Sequence, residues 1–586
     1  MFRTVAIMFP FACLAIVNLI LYWADVGVNT SLVVSNDRLP TGMFYLNPDS
    51  PNAYYDRDLR GPEPRAFALP KGKETFRVLV VGASSVAGYP YESGLAFPRQ
   101  MELVLGKQLK GKRVEVLNAG VVGIATTPLV DLVRQADDAS PDVIVCYAGH
   151  NEFYGVGGVA THARLARIGI QLRHFRLGQV ITGWFAGEQA TEEELITQLP
   201  TTIEIPLDSP LVGRAEGRYR RNLTAIANAC AGKGIPLVIC SVVSNLRDHS
   251  PIRSLKLSSL EDSERKIRDQ AEQAANDLLL QEDYTAAYEP VLAAQTQFPD
   301  SAAIRYQLAR CLEGLGRSAE AHDGYVAARD LDGCRYRAPG SFRDIAREVA
   351  AGREDEAIQF VDLAPAFANA TQHAAPGHDL FLEHVHLTHK GNWLVATTIA
   401  RTIIEDICEA TWVAASAPTD EARDNWLAVI AEDHVVATAR AIPMYEVPPF
   451  HESVCAELHV RSLNARMQQQ RAEMSELENK FLDKLDDNTL VSDLVDGLGR
   501  SRLTIGNVPA ALEFFERGKR RRSFMPNSYV FAASCYYALR QHEEAASNVK
   551  KSFQTPITET DNLVKVRNEL VRRMERQVGQ GEGVTR

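Results

Sequence analysis

The chain has 586 residues, of which 46% are hydrophobic and 23% are charged, and its formal net charge is −11. This composition is typical of a folded globular protein and excludes a mainly disordered or fibrous chain. At this length we expect about three or four domains. The acidic balance gives no support to nucleic-acid binding, because phosphate binding requires a clustered positive field.

The N-terminal segment predicts a membrane anchor. Residues 4–24 contain no charged side chain and are long enough for a helix that crosses a hydrocarbon core of about 30 Å. Arg3 precedes this run and Asp25 follows it, which favours a single-pass helix with a cytoplasmic N-terminus. A cleaved signal peptide, and a lipoprotein attached through Cys13, are the alternatives. All three place the bulk of the chain outside the cytoplasm, in the periplasm or at the cell surface.

An α/β pattern follows a loop-rich juxtamembrane segment at 25–70. Near-continuous apolar strands alternate with helices between residues 71 and 254, and this alternation predicts a parallel sheet covered on both faces. The pattern resumes over 341–412. The predicted strands are 76–81, 114–118, 142–147, 236–242 and 359–363, and the predicted helices are 97–109, 130–136, 218–233 and 391–404.

Two regions repeat with a period of 34 residues. Segment 318–322 matches segment 284–288 at this offset, and segment 543–546 matches segment 509–512. The period is that of tetratricopeptide (TPR) repeats, which stack pairs of helices. We therefore predict a TPR-like helical insertion over 255–340, a helical linker over 413–480 and a C-terminal TPR-like block over 481–586. Such repeats usually bind peptides, so a protein partner is expected.

The cysteines and one basic run lead to structural predictions. The nine cysteines include no C-x-x-C pair, which argues against zinc ribbons, and most are expected to be buried. Oxidising surroundings would permit disulfides such as Cys230–Cys240 or Cys311–Cys334. The basic run 519–522 predicts a solvated helix end, with an anionic docking site as the alternative.

Four short segments at the ends of predicted elements carry residues suited to acyl transfer. They contribute Ser84, Gly123, Asn151 and the pair Glu383 and His386. Serine becomes a nucleophile when a neighbouring histidine takes its proton, and a carboxylate can hold that imidazole in the required tautomer. A backbone N–H at a glycine and an asparagine amide can donate to the developing oxyanion. Taken singly, Ser84 would more often cap a helix and Asn151 a turn.

In this order the four segments resemble the blocks of the SGNH (GDSL) hydrolase family, over roughly 72–250 and 341–410. Ala83 stands where the family usually has Asp, and Glu383 replaces the Asp that precedes the histidine. The matching residues are Ser84 and Gly88 in the first block, Asn118, Ala119, Gly120 and Gly123 in the second, Gly149, Asn151 and Glu152 in the third, and Glu383 and His386 in the last.

The resemblance implies a flavodoxin-like three-layer α/β domain and assigns roles to the residues. Ser84 would be the nucleophile, His386 the base and Glu383 the carboxylate that orients it. The backbone N–H groups of Ser84 and Gly123 and the amide of Asn151 would form the oxyanion hole. More narrowly, the chain is similar to bacterial proteins that combine such a domain with TPR repeats.

These observations predict a membrane-anchored, extracytoplasmic serine esterase that acts on O-acyl esters of cell-envelope glycans or lipids. The alternatives are an O-acyltransferase that modifies envelope polysaccharide and a non-catalytic TPR scaffold. We expect no cofactor and no metal ion, although His384, His386 and His389 are conceivable metal ligands. His384 and His389 are expected to be structural or solvent-facing, and Glu152 to stabilise the loop that carries Asn151.

Overall fold

The chain begins with an apolar helix, α1 (Phe2–Trp23), whose side chains from Met8 onward are largely exposed. Within the described part of the chain, no helix combines the length and apolarity that a membrane span requires. A computed structural model describes residues 2–55, 61–159, 162–184, 204–206, 208–254, 261–353, 357–485, 493–558 and 560–581.

A small antiparallel sheet occupies part of the segment that was expected to be loop-rich. Its strands are β1 (Val33–Val34), β2 (Met43–Leu46) and β3 (Ala66–Ala68), in the order β1-β2-β3. Leu46 and Phe67 are buried in the adjoining core and fix this sheet to the main domain. Strands of two to four residues are too short to show an alternating apolar pattern, which explains why the sequence did not reveal them.

The main sheet is parallel and has five strands among the described residues. They are β4 (Thr75–Gly82), β5 (Arg113–Gly120), β6 (Val143–Tyr147), β7 (Leu237–Cys240) and β8 (Ile358–Val361), in the order β5-β4-β6-β7-β8. The predicted strands are confirmed to within two residues. Counted along the chain, the order is 2-1-3-4-5, which is a common order for doubly wound sheets. In such a sheet, ligands bind where the winding direction changes, here between the carboxyl ends of β4 and β6.

Helices account for most of the rest of the chain. The helices between β4 and β7 are α2 (Ser84–Ala87), α3 (Phe97–Gln108), α4 (Thr126–Arg134), α5 (Ala163–Arg173), α6 (Arg176–Gly183) and α7 (Pro210–Ala231). The insertion between β7 and β8 contains α8 (Asp262–Leu280), α9 (Tyr284–Gln297), α10 (Ala302–Gly314) and α11 (Ser318–Leu331), and is followed by α12 (Gly340–Ala351). The helices that follow β8 are α13 (Leu363–Ala370), α14 (His389–Thr402), α15 (Asp420–Leu427), α16 (Ala431–Ala441), α17 (Ala456–Ala472), α18 (Glu476–Leu482), α19 (Leu494–Thr504), α20 (Val508–Arg521), α21 (Pro526–Ala538), α22 (His542–Ser552) and α23 (Asp561–Gly581).

The main sheet lies between two layers of helices. Alternate residues of β4 point to opposite faces, so that Val78 and Val80 pack under α3 and α14, while Leu79 and Val81 pack under α4, α7 and α12. Because both faces are covered, the strands are apolar throughout, as the sequence pattern indicated. Both helical regions keep the 34-residue spacing: α9 and α11 begin 34 residues apart, as do α20 and α22.

The prediction for the basic run was wrong for its last two residues. The side chains of Arg521 and Arg522 are almost completely buried. Arg521 Nη1 donates to Asp433 at 2.8 Å, and both guanidinium groups lie within 3.7 Å of the Glu92 carboxylate. Arg522 is also paired with Asp493. These acidic partners are distant in sequence. The local run of basic residues therefore predicted a solvated position for both arginines.

The cysteines are unpaired and mostly buried. All nine cysteines are free thiols, and neither Cys230–Cys240 nor Cys311–Cys334 forms a disulfide. Seven of the nine are buried, as expected for cysteines that act as small apolar side chains.

Replacing Arg521 by alanine should destabilise the protein strongly. Arg521→Ala leaves Asp433 buried without its guanidinium partner, and breaking a buried ion pair in this way typically costs about 3–5 kcal/mol. The matched control is Arg520→Ala, because Arg520 is exposed and its removal should change stability by only about 0.5 kcal/mol. Urea unfolding of both variants measures the difference, and equal midpoints would contradict the structural role of Arg521.

Candidate active site

Close backbone contacts build the crevice at the ends of β4 and β5. Gly82 ends β4, where a Cβ would overlap the carbonyl oxygen of Tyr147, and Gly120 ends β5, where a Cβ would overlap the backbone of Ala87. Only glycine permits these approaches. They place the short helix α2 against the sheet with Ser84 as its first residue. The alternative role of Ser84 as a helix cap does not apply, because Ala83 occupies the cap position.

Ser84, His386 and Glu383 form a connected set. Ser84 Oγ lies 2.7 Å from His386 Nε2, and His386 Nδ1 contacts Glu383 Oε1. The same carboxylate oxygen accepts the backbone N–H of His386 at 2.7 Å, so the loop is folded around the carboxylate. Thr388 then caps α14 through its side chain. The structure therefore brings Ser84 together with two predicted residues that lie about 300 positions further along the sequence.

The carboxylate of Glu383 is shared between two histidines. Its Oε2 accepts the backbone N–H of His384 at 2.7 Å and contacts His384 Nδ1. Burial would raise the pKa of Glu383, but the imidazoles of His384 and His386 hold this pKa well below its usual range. Glu383 therefore remains ionised and orients both rings. The extra carbon of Glu, compared with the expected Asp, does not prevent the contact with His386.

His384 is a site residue that the sequence reasoning missed. It lines the same pocket as Ser84, and burial lowers the pKa of its imidazole, which keeps the ring neutral near pH 7. Its Nδ1 contacts the Glu383 carboxylate, so that Nε2 is the ring nitrogen not turned to Glu383. The sequence offers no local signal for this position, because it depends on how residues 383–386 fold around the Glu383 carboxylate. His389 does have the expected structural position, since its Nε2 lies 2.8 Å from Asp424.

The predicted oxyanion residues line the same pocket. Gly123 has a φ of 73°, in the left-handed region that favours glycine, and its carbonyl accepts the Val156 N–H at 2.9 Å. Asn151 Nδ2 donates to the Ile124 carbonyl at 3.0 Å, which ties the loop after β6 to the loop after β5. The side-chain amide of Asn151 has a second N–H, which takes no part in this hydrogen bond. Gly123, Asn151 and Ser84 thus surround one cavity.

Two neighbours of Asn151 hold its loop in place. His150 Nδ1 accepts the Ala338 N–H at 3.1 Å, and its Nε2 lies 3.2 Å from the Val243 carbonyl. Burial lowers the pKa of His150 to about 3, so the ring is neutral and both nitrogens are occupied. Glu152 accepts from the N–H and the hydroxyl of Thr126, at 2.6 and 3.0 Å, and thereby caps α4. Glu152 stabilises the loop, as expected.

The cavity itself is small and mainly apolar in its walls. Its volume is about 80 Å³. Beside the residues already described, its walls include Tyr147, Val242, Tyr336, Val385 and Phe450. Phe450 belongs to the region that was predicted to be only a linker. The helical part of the chain therefore contributes directly to the site.

The site also contains a group of potential metal ligands. Glu383, His384 and His386 offer ligand atoms that lie within 4.8 Å of one another, whereas His389 is bound to Asp424 instead. Each oxygen of Glu383 already accepts a backbone N–H, and His386 Nε2 faces Ser84. This arrangement is suited to orienting imidazoles for proton transfer.

Neither a scan against protein-family models nor a search of curated proteins finds a match for this chain. Its function is therefore inferred from the residues and their geometry.

Removing the charge of Glu152 should change how stability depends on pH. Burial raises the pKa of Glu152 from about 4.5 to about 7, so the folded state holds this proton more tightly than the unfolded state between these values. Between about pH 4.5 and pH 7, the Glu152 carboxyl therefore makes the protein less stable as the pH rises. The free energy of unfolding of Glu152→Gln, relative to that of wild type, should therefore rise by about 3 kcal/mol between pH 4.5 and pH 8.

Urea unfolding at several pH values measures this difference. Because the other titrating groups are common to both proteins, their contributions cancel when the two curves are subtracted. A constant difference between wild type and Glu152→Gln from pH 4.5 to pH 8 would contradict the assigned role.

Proposed function

We propose that this chain is a serine ester hydrolase of the SGNH type that acts through an acyl-serine intermediate. The observation that supports this proposal is the Ser84 Oγ–His386 Nε2 distance of 2.7 Å, with Glu383 at the other nitrogen of the imidazole. Serine, histidine and carboxylate in this order are the constellation that activates a hydroxyl for attack on a carbonyl carbon.

The reaction has two halves. In the first, Ser84 Oγ bonds to the acyl carbon and its proton passes to His386 Nε2; the ester C–O bond then breaks, and the departing alcohol oxygen takes that proton. In the second, water adds to the acyl carbon and gives a proton to His386. The bond to Ser84 then breaks and Oγ regains its proton. Glu383 stabilises the imidazolium that forms in each half.

The negative oxygen of each tetrahedral intermediate requires hydrogen-bond donors. Ser84, Gly123 and Asn151 line the pocket, and we propose the backbone N–H groups of the first two and the second amide N–H of the third as these donors. Losing one such donor typically costs about 3–4 kcal/mol of barrier. The loop contacts of Glu152 and His150 hold these donors in place before substrate binds.

The size of the pocket favours a short acyl group. An engineered apolar cavity of roughly 150 Å³ binds benzene, and the cavity beside Ser84 has about half that volume, about 80 Å³. An acetyl or propionyl group fits such a space, whereas a long fatty chain would have to leave it. Short O-acyl esters of envelope glycans are therefore the substrates that we favour over lipids.

His384 gives the alcohol part of the ester a binding partner. Its neutral ring presents Nε2 as an acceptor in a pocket whose walls are otherwise mainly apolar. Tyr336 lines the same pocket, and its hydroxyl is buried without a hydrogen-bond partner among the described residues. A substrate hydroxyl can donate to the imidazole and accept from the phenol, which favours an alcohol that carries further hydroxyl groups.

The location and partners of the enzyme are part of the proposal. The anchor is proposed from the sequence alone, because the run 4–24 contains no charged side chain, while no helix among the described residues meets the requirements of a span. The TPR-like regions are proposed as docking surfaces for a protein partner, because stacked helix pairs with this period commonly bind peptides.

Replacing Ser84 tests the proposal directly. Ser84→Ala should abolish labelling by a fluorophosphonate and lower ester hydrolysis by about 10⁴-fold or more, because the nucleophile is removed. The control Ser85→Ala changes the adjacent serine and should keep the labelling. In wild type, rates across acetyl, butyryl and octanoyl esters should fall with chain length.

Unchanged labelling of Ser84→Ala would contradict the catalytic assignment. Product analysis with and without a sugar acceptor then separates hydrolysis from acyl transfer, since both pass through the same acyl-serine.

Replacing His384 tests its role toward the alcohol. His384→Phe keeps an aromatic ring but removes Nε2, and kcat/KM for glyceryl monoacetate should fall by about tenfold, the value of one lost hydrogen bond. The loss should be smaller for phenyl acetate, whose alcohol part has no further hydroxyl. Steady-state kinetics of both esters measure the two losses in kcat/KM. Equal losses would show that His384 acts only through Glu383 on the base His386.

A further inference from the structure

The two-helix hairpin formed by α5 and α6 exposes an unusual amount of apolar surface. Its side chains are exposed by 44% to 81%. They belong to Leu165, Ile168, Leu172, Phe175, Ile181 and Trp184. A soluble surface rarely carries so many large apolar residues in two consecutive helices, so this face requires an occupant.

The opposite side of the hairpin is fixed to the α/β domain. His174 Nε2 lies 2.9 Å from Asp131 of α4, and Gln171 donates to the same carboxylate at 3.1 Å. Ile170 is buried in the main core. A Cβ on Gly178 would overlap the carbonyl of Leu172, so the two helices meet closely. The apolar face is therefore held outward by the packing of the other face.

The charge of this hairpin is opposite to that of the whole chain. Between residues 162 and 184 there are four arginines and no aspartate or glutamate, whereas the net charge of the chain is −11. Two of the arginines, Arg164 and Arg167, are exposed beside the apolar residues, and Arg167 also donates to Asn222 Oδ1 at 3.1 Å. A basic and apolar helical face of this kind is suited to the interface of an anionic bilayer. It is poorly suited to a second copy of itself, because arginines would then face arginines.

The hairpin is also continuous with α1. Asn18 Oδ1 accepts the N–H of Leu177 at 3.1 Å. The guanidinium group of Arg176 lies 5.8 Å from the centre of the Tyr22 ring, and its Nη1 donates to the Val26 carbonyl at 3.2 Å. These contacts lie at the C-terminal end of α1, whose apolar side chains are also exposed.

We propose that the α5–α6 hairpin lies in the headgroup region of an anionic lipid bilayer, with its apolar side chains among the acyl chains and its exposed arginines, Arg164 and Arg167, at lipid phosphates. This surface is separate from the serine chemistry and does not depend on it. It would hold the catalytic domain in a fixed orientation on the membrane, because α5 is bound to α4, which begins three residues after Gly123.

Trp184 provides the test. The full chain is reconstituted into phosphatidylcholine vesicles with and without phosphatidylglycerol, and the phosphatidylcholine carries brominated acyl chains that quench a tryptophan in contact with them. Subtracting the emission of Trp184→Phe from that of wild type gives the contribution of Trp184. We expect this contribution to be blue-shifted and quenched by the brominated lipid, and more strongly so with phosphatidylglycerol.

Two variants make the test specific. Trp426→Phe is the matched control, because Trp426 lies in α15 beneath Arg99, and its loss should leave the quenched component unchanged. Arg164→Glu reverses one exposed charge and should weaken the quenching of Trp184 in the vesicles that contain phosphatidylglycerol. Ester hydrolysis of a soluble substrate is measured in parallel, so a failure of the membrane surface is distinguished from a failure of the enzyme.

Two outcomes would overturn the proposal. One is a Trp184 contribution that is solvent-like and unquenched in both kinds of vesicle. The other is chemical crosslinking of the hairpin to a protein, or to a second copy of the chain, while Trp184 stays unquenched. Equal quenching with and without phosphatidylglycerol would contradict the role of the arginines.

Discussion

The geometry of the site depends on the contacts of one buried carboxylate, that of Glu383. It accepts backbone N–H groups from two residues of its own loop and contacts the imidazoles of His384 and His386. A buried charge is stable only when such partners surround it, so the loop takes the one shape that supplies them. That shape sets the direction of His386 toward Ser84. The proposed proton transfer therefore depends on how this charge is accommodated.

The helical regions are part of the same construction. Phe450 forms a wall of the pocket, and Arg440 donates to the carbonyl of Pro90 in the segment that follows Ser84. Further along this segment, the buried carboxylate of Glu92 lies beside Arg521 of α20. A partner that binds the C-terminal helices would thus act on elements that contact the site. The segment after Ser84 thus contacts both α16 and α20.

Sequence reasoning recovered the elements more fully than their contacts. The strands were predicted to within two residues because a strand covered on both faces must be apolar along its length. Ser84, Gly123, Asn151, Glu383 and His386 were found because each follows a strand or precedes a helix at the edge where parallel strands end. The role of His384 and the burial of Arg521 were not found, since both depend on residues that are distant in sequence.

The α/β class, the repeat period, the types of residue at the candidate site and their order along the chain can all be predicted from the sequence alone. These follow from local periodicity and from the fact that parallel strands end at a common edge. Only the tertiary structure decided that Glu383 serves two histidines, that the pocket is small, and that the α5–α6 hairpin faces outward. Each of these is set by packing between distant segments, and no local pattern encodes such distances.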